Sequence, residues 1–92
     1  MIISYRHKGL ELYATKGDRS KLQQHHVEKI KLILTRLDAA KTAQTMNQPG
    51  ANFHQLSGEL QGFYAVKVSG NYRIIFRFEG ENAYDVDYLD YH

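Results

Sequence analysis

The last thirty residues of the chain alternate apolar with polar or charged side chains in three successive runs. The runs cover residues 63–68, 72–78 and 83–90, and the short segments between them contain Gly70 and Gly80. Period-two alternation rich in Val, Ile, Tyr and Phe, interrupted by glycine and asparagine, is typical of antiparallel strands joined by tight turns. The pattern predicts a three-stranded meander whose apolar face must be covered by another part of the chain.

The register of this meander can be predicted, because a slip of one residue moves every side chain to the opposite face. Three-residue turns at 69–71 and 80–82 place apolar side chains opposite each other on one face. The resulting pairs are Tyr64–Phe76, Val66–Ile74, Val68–Tyr72, Ile74–Tyr88, Phe76–Val86 and Phe78–Tyr84. With a two-residue turn at either place, a core residue would face a charge. We therefore expect three-residue turns.

The opposite face of the meander carries charged side chains. In the same register Lys67 lies directly across from Arg73, and Arg77 lies across from Asp85. Like charges directly opposite each other destabilise a sheet, whereas two converging cations suit a phosphate. Charge alone leaves two interpretations open: the two cations extend separately into solvent, or they bind an anion.

The segment 23–40 has the apolar spacing of an amphipathic helix. Its apolar stripe consists of Val27, Ile30, Ile33, Leu34 and Leu37, and its outer side carries Lys29, Lys31 and Arg36. This helix is the predicted cover of the meander. Shorter elements are expected at 1–5 (strand), 7–15 (helix) and 53–56 (strand). Together they predict an α+β fold, in which an antiparallel sheet packs against N-terminal helices.

Length and composition limit the possible functions. Ninety-two residues suffice for one core, so we expect a single domain over residues 1–92. The chain has no cysteine, which excludes a disulfide, a thiolate nucleophile and a cysteine-ligated metal. No apolar run is long enough to span a bilayer and no signal peptide is evident, so we expect a cytoplasmic protein with no membrane partner.

Charge is distributed unevenly along the chain, although its net value is only +2. Residues 1–46 contain nine Lys and Arg against four Asp and Glu, whereas residues 47–92 contain three against six. A basic first half is compatible with a nucleic-acid surface. It is also the usual appearance of a solvated helix face.

Two adjacent histidines, His25 and His26, lie on the predicted helix. Neighbouring helical residues point in different directions, so the two cannot share a metal as an i, i+4 pair can, and no carboxylate completes a ligand set. We predict no metal site. Both side chains are expected at the surface or at the start of the helix.

The chain ends with Asp90, Tyr91 and His92, directly after the last predicted strand. This ending places three groups capable of acid–base chemistry at a sheet corner near Arg73. The competing interpretation is a frayed terminus without a role. His54 lies beside a turn that follows the loop 41–52 and is a further candidate for proton transfer.

Several segments together resemble the HigB toxins of bacterial toxin–antitoxin modules, a branch of the RelE/ParE superfamily. The matching segments are 6–10 (RHKGL), 36–40 (RLDAA), 47–50 (NQPG), His54-x-Leu56-x-Gly58, 68–74 (VSGNYRI) and 84–92 (YDVDYLDYH). The resemblance implies a microbial-ribonuclease-like fold and cleavage of mRNA in the ribosomal A site. It also implies a HigA-like helix-turn-helix antitoxin as partner, through which alone the toxin would contact operator DNA.

The resemblance further implies the chemistry and its residues. Family members act without a metal or other cofactor, and the 2′-hydroxyl attacks the adjacent phosphate to give a 2′,3′-cyclic product. The positions that match the family's functional residues are His54, Arg73, Asp90, Tyr91 and His92. Histidine suits proton transfer near neutral pH, and an arginine suits stabilisation of the charged phosphorane. RNA binding is assigned to Lys67, Arg73, Arg77 and Lys21.

The chain departs from the family pattern at two positions. Ser57 stands where a lysine is common, and Tyr64 stands where tryptophan is frequent. Loss of a basic residue predicts weaker contact with the RNA backbone, because phosphate contacts dominate affinity. An alternative function is that of a ParE-like toxin, which poisons DNA gyrase without cutting RNA. His54 and the Asp-Tyr-His ending favour cleavage.

Overall fold

Two helices cover one face of an antiparallel sheet in the computed structural model, which describes residues 1–91. The elements are α1 (Lys8–Lys16), α2 (Val27–Ala39), β1 (His54–Gln55), β2 (Tyr64–Ser69), β3 (Tyr72–Glu79) and β4 (Asn82–Asp90). The strands lie in the order β1-β2-β3-β4 and each neighbouring pair is antiparallel. The predicted α+β fold is confirmed, with β1 as a fourth strand beside the meander.

The main core lies between α2 and the sheet. All five members of the predicted stripe are buried, and they share one cluster with Val66, Ile74, Phe76 and Val86 of the sheet. Burying one such side chain contributes about 1.5–3 kcal/mol, so this contact dominates the stability of the fold. None of the helices in the described part of the chain is long and apolar enough to cross a membrane.

Helix α1 has a defined start and end. His7 precedes it and accepts the Leu10 backbone N–H with Nδ1 at 3.2 Å. Gly17 follows it with φ 73°, and its N–H donates to the Tyr13 carbonyl at 3.0 Å. A left-handed residue at this position is a common helix stop, and glycine adopts it without strain.

The first five residues extend along the outer edge of β4. Instead of the predicted strand, they form two isolated parallel bridges, Ile2–Ala83 and Tyr5–Val86. The Ile3 N–H donates to the Ala83 carbonyl at 2.8 Å. This segment therefore protects an edge that would otherwise expose unpaired backbone groups.

Both turns of the meander contain two residues, so the prediction of three-residue turns is wrong. Residues 70–71 join β2 to β3, and residues 80–81 join β3 to β4. Gly70 and Gly80 have φ values of 56° and 60°. A positive φ at the first central position is what a type II′ hairpin turn requires.

A bulge in each hairpin compensates for the shorter turn. One lies between Lys67 and Ser69, and the other lies in β4 at Asp85, whose φ is 55°. The extra residue restores the predicted register beyond the bulge. The confirmed pairs are Tyr64–Phe76, Val66–Ile74, Lys67–Arg73 and Ile74–Tyr88.

The predicted pairs on the turn side of each bulge are wrong. Tyr72 faces Ser69 instead of Val68, and Phe78 faces Ala83 instead of Tyr84. Arg77 faces Tyr84 instead of the predicted Asp85, although the Arg77 and Asp85 side chains still form an ion pair.

The charged face also carries a small apolar cluster that was not predicted. Its buried members are Leu56, Ala65 and Ile75, and the side chains packed against them are Leu60, Phe63, Leu89 and Tyr91. The segment 56–63 folds back over the sheet, closed by a 2.9 Å hydrogen bond from the Leu56 N–H to the Phe63 carbonyl. The face opposite the helices therefore has an apolar floor with charged side chains around it.

Candidate active site

His54 stands exposed on the edge strand β1. Its Nδ1 lies 2.8 Å from the backbone carbonyl oxygen of Asn52, a residue with φ 50°. A carbonyl oxygen can only accept, so Nδ1 carries the proton of this hydrogen bond. In the neutral ring Nε2 then holds the lone pair. The local backbone thus presents the basic nitrogen of His54 to solvent.

The register places His54, Lys67 and Arg73 on the same face of the sheet. His54 pairs with Ala65, two residues before Lys67 on β2, and Lys67 pairs with Arg73 on β3. From ordinary strand spacing, the backbones of His54 and Lys67 lie about 8 Å apart. Long side chains can converge over this distance on one ligand the size of a nucleotide. The predicted juxtaposition of Lys67 and Arg73 is confirmed.

The Arg73 guanidinium is fixed at the turn between β2 and β3. Nη1 donates to the Gly70 carbonyl at 2.7 Å and to the Tyr72 carbonyl at 3.1 Å. Within residues 1–91 it forms no ion pair, and its buried Nε donates to no group. The guanidinium charge, which is unneutralised within residues 1–91, is therefore available to an oxyanion bound at this face.

Arg77 lies on the same face but is neutralised. Its Nε is 2.7 Å from Asp85 Oδ2, its Nη1 pairs with Glu79, and its Cζ lies 5.1 Å from the centre of the Tyr84 ring. The hydrogen bonds to Glu79 and Asp85 raise the pKa of Arg77 above its ordinary value. Both carboxylates compete with any phosphate for this guanidinium.

Lys21 lies on the helical side of the protein. It is exposed and packs against Gly9 near the start of α1. Its assignment to RNA binding together with Lys67 and Arg73 stays a prediction.

The end of β4 reaches the same sheet corner as Arg73. Asp90 pairs with Tyr72, and strand alternation puts it on the helical side with Tyr88. Tyr91 lies on the Arg73 side: its N–H donates to the Asn71 carbonyl at 2.8 Å and its ring packs against the small apolar cluster. Tyr91 is held in place, so it is not part of a frayed end. His92 lies outside the described residues.

His26 lies at the start of the helix as predicted, but its side chain is buried. It is 3% exposed, and its Nδ1 lies 2.6 Å from the Tyr88 hydroxyl oxygen. Burial lowers the pKa of His26, and the nearby His25 lowers it further. Of the two adjacent histidines, His25 is the one at the surface. No three His, Asp or Glu side chains within residues 1–91 come together as a metal site would need.

The full chain is similar to two curated proteins. It is 36% identical over 92 residues to the Endoribonuclease HigB of Proteus vulgaris, and the match covers all of both chains. It is 31% identical over 94 residues to the Toxin HigB-1 of Vibrio cholerae serotype O1, covering all of this chain and 98% of the relative.

Two solved structures share the fold. The YoeB dimer from Staphylococcus aureus matches with a TM-score of 0.61 at 14% identity, covering 99% of this chain and 94% of the other. The YoeB/ParE toxin from Agrobacterium tumefaciens matches with a TM-score of 0.58 at 15% identity, covering 99% and 96%. The sequence model of the HigB-like toxins, described as the RelE-like toxin of type II toxin-antitoxin system HigB, matches residues 3–92. The chain therefore belongs to the HigB family of RelE-like toxins of type II toxin–antitoxin systems.

Proposed function

We propose that this toxin is an endoribonuclease that cleaves mRNA on the ribosome at the sheet face of His54, Lys67 and Arg73. Family membership and full-length similarity to the Proteus vulgaris Endoribonuclease HigB support the mRNA-cleaving activity. The observation that favours this face is Arg73, whose charge is unneutralised within residues 1–91 and whose guanidinium is held at the turn by two backbone carbonyls. It shares the face with a histidine whose tautomer is fixed by the backbone.

In the proposed reaction the 2′-hydroxyl oxygen attacks the adjacent phosphorus and the 5′-oxygen of the next nucleotide leaves. The products are a 2′,3′-cyclic phosphate and a 5′-hydroxyl end. One group must take the 2′-hydroxyl proton and another must protonate the leaving oxygen. His54 Nε2 is one of these two groups. Arg73 and Lys67 stabilise the additional negative charge of the phosphorane.

The second proton-transfer group comes from the end of the chain in this proposal. Asp90, Tyr91 and His92 are the candidates, as the family resemblance implies. Tyr91 is supported by its place on the Arg73 side of the sheet, next to the turn that holds the guanidinium. Asp90 lies at the same corner, on the side of Tyr72.

The partners follow from the same proposal. A type II toxin has an antitoxin partner, which we take to be a HigA-like helix-turn-helix protein that alone contacts operator DNA. The ribosome is supported by the low net charge of +2, since phosphate contacts supply most of the affinity for RNA and this chain offers few. A cytoplasmic location follows from a ribosomal substrate.

The proposal is tested by cleavage of a translated mRNA, with the cut positions mapped by primer extension. His54→Ala should lower the cleavage rate about 10²–10⁴-fold, as expected for loss of a general acid or base, without changing the melting temperature. His25→Ala is the matched control, because it removes an exposed histidine from the helical layer and should cut like the wild type.

Two parallel assays separate the alternatives. The wild type should leave protein-free RNA largely intact and should not affect gyrase supercoiling. Unchanged cleavage by His54→Ala would place the chemistry elsewhere, and efficient cutting of protein-free RNA would refute ribosome dependence. Gyrase inhibition without any RNA cleavage would indicate a ParE-like toxin instead.

A further inference from the structure

Arg6 reaches the proposed catalytic face from outside the sheet. Its backbone N–H donates to the Val86 carbonyl at 2.8 Å, along the outer edge of β4. The preceding residue, Tyr5, packs into the core on the helical side, so extended-chain alternation directs Arg6 to the opposite face. There the Arg6 Cζ lies 5.6 Å from the centre of the Phe63 ring.

Phe63 belongs to the apolar floor of that same face. Its ring packs in the cluster that contains Ile75 and Leu89. Ile75 is the next residue after Arg73 on this face of β3, and Leu89 on β4 pairs with Arg73. The Arg6 guanidinium therefore lies at the edge of the surface that presents His54 and Arg73. Arg6 and Phe63 are 57 positions apart along the chain, so neither strand pattern nor charge pattern pairs them.

Within residues 1–91 Arg6 is unneutralised, in contrast to Arg77. Arg77 has two carboxylate partners, whereas Arg6 is exposed and forms no ion pair within the part of the chain that the structure describes. The aromatic ring orients the guanidinium while leaving its charge available. Planar guanidinium groups and aromatic rings are the surfaces on which unpaired RNA bases stack, and a guanidinium also binds phosphate in a forked geometry.

We propose that Arg6 and Phe63 form a binding subsite for a nucleotide that flanks the cleaved one in the single-stranded mRNA. This inference rests on the proposed catalytic face. His54 lies on β1 and Arg6 lies beyond β4, with Lys67 and Arg73 between them. At ordinary strand spacing the two ends are roughly 19 Å apart, which leaves room for several nucleotides. The RNA thus crosses the strands, and Arg6 holds it by stacking and charge at the end away from His54.

The test separates binding from chemistry by single-turnover cleavage of a ribosome-bound mRNA at increasing toxin concentration. Arg6→Ala should raise the half-saturating concentration about tenfold, the scale of one lost stacking contact, and leave the maximal rate within twofold. Arg6→Lys keeps the charge without the planar group and should recover only part of the loss. Phe63→Leu keeps the apolar floor without the ring and should resemble Arg6→Lys.

Arg19→Ala is the matched control, since it removes an exposed arginine from the segment between α1 and α2. Its half-saturating concentration should stay within twofold of the wild-type value. An equal increase for Arg19→Ala and Arg6→Ala would mean a general charge effect and would overturn the subsite. Wild-type behaviour of Arg6→Ala, or a fall in its maximal rate alone, would overturn it as well. His54→Ala, assayed in parallel, tests the proposed catalytic face independently. If His54→Ala loses cleavage while Arg6→Ala behaves like the wild type, the catalytic face is retained and the Arg6 subsite is rejected.

Discussion

His26 and His54 lie on opposite sides of one sheet, and their surroundings suit the first to the core and the second to the proposed chemistry. Each uses its Nδ1 in a hydrogen bond to an oxygen, to the Tyr88 hydroxyl at 2.6 Å and to the Asn52 carbonyl at 2.8 Å. The difference is burial. His26 is enclosed between α2 and the sheet, where burial lowers its pKa, whereas His54 stands exposed on an edge strand.

The surroundings of the two histidines differ in the same way. The rings of Tyr72 and Tyr88 lie 4.9 and 6.0 Å from the His26 ring and enclose it in an aromatic cluster. On the other face, His54 shares its surface with the cations Lys67 and Arg73. An aromatic enclosure favours a neutral ring and stability, while a cationic surface favours a phosphate substrate. Removing each histidine should therefore affect a different measurable property.

The largest expected effect on stability is that of His26→Ala. The substitution leaves a cavity in the core and removes the partner of the Tyr88 hydroxyl, so it should cost about 2–4 kcal/mol. For a domain of this size that corresponds to a decrease in melting temperature of roughly 10–25 °C. Thermal unfolding followed by circular dichroism measures it. Cleavage per folded molecule, assayed well below the melting temperature, should stay near the wild-type rate.

His25→Ala is the control for this prediction, because it removes the exposed neighbour and should change stability by less than about 0.5 kcal/mol. A His26→Ala protein that melts like the wild type but no longer cleaves mRNA would break the comparison. It would show that the buried ring acts on the reaction.

A smaller effect is expected when the pH is lowered. The folded-state pKa of His26 is below its ordinary value, so the unfolded chain binds a proton that the folded chain excludes. Stability should be insensitive to this group above the unfolded pKa of about 6.5. It should decrease as the pH falls from about 6.5 towards the folded pKa, by at most about 1.4 kcal/mol per pH unit.

The measurement compares urea unfolding of the wild type and His26→Phe between pH 7.5 and 5.5. Phenylalanine keeps a ring in the cluster and does not titrate, so the difference between the two curves isolates His26 from His25 and His7, which lie nearby. The wild type should lose more stability than His26→Phe over this range. Parallel curves would show that His26 binds a proton equally well in both states.

The spacing of apolar residues predicted those parts of the fold in which buried positions recur at regular intervals along the chain. The stripe of α2 and the alternation of β2 to β4 follow from such repeats, and so does the juxtaposition of Lys67 and Arg73. The bulge at Asp85 has another origin. Its N–H donates to the Ser4 hydroxyl at 2.9 Å, and the Val86 N–H donates to the Ser4 carbonyl at 3.1 Å. Ser4 and Asp85 are 81 positions apart, so no local sequence pattern indicates their contact.

The same reason explains what sequence analysis missed around the site. The apolar floor forms because segment 56–63 folds back over the sheet, and Arg6 reaches it from the other end of the chain. The burial of His26 depends on where the start of α2 meets the aromatic end of the sheet. Tertiary placement, which no residue spacing encodes, decided each of these features.

The smallest expected effect is that of Arg77→Gln. Arg77 is a cation on the proposed catalytic face, and the sequence interpretation placed it with Arg73 in RNA binding. Its charge is already balanced by Glu79 and Asp85, so removing it takes little from the attraction for RNA. Half-exposed ion pairs also contribute little to stability, and the melting temperature should change by less than about 5 °C. The half-saturating toxin concentration for mRNA cleavage should stay within twofold of the wild-type value.

Arg73→Gln is the matched comparison, because it makes the same chemical change four residues earlier on the same strand. It should reduce cleavage at least a hundredfold through loss of charge stabilisation. An increase for Arg77→Gln as large as that expected for Arg6→Ala would show that RNA displaces the two carboxylates, and Arg77 would then belong to the RNA-binding surface.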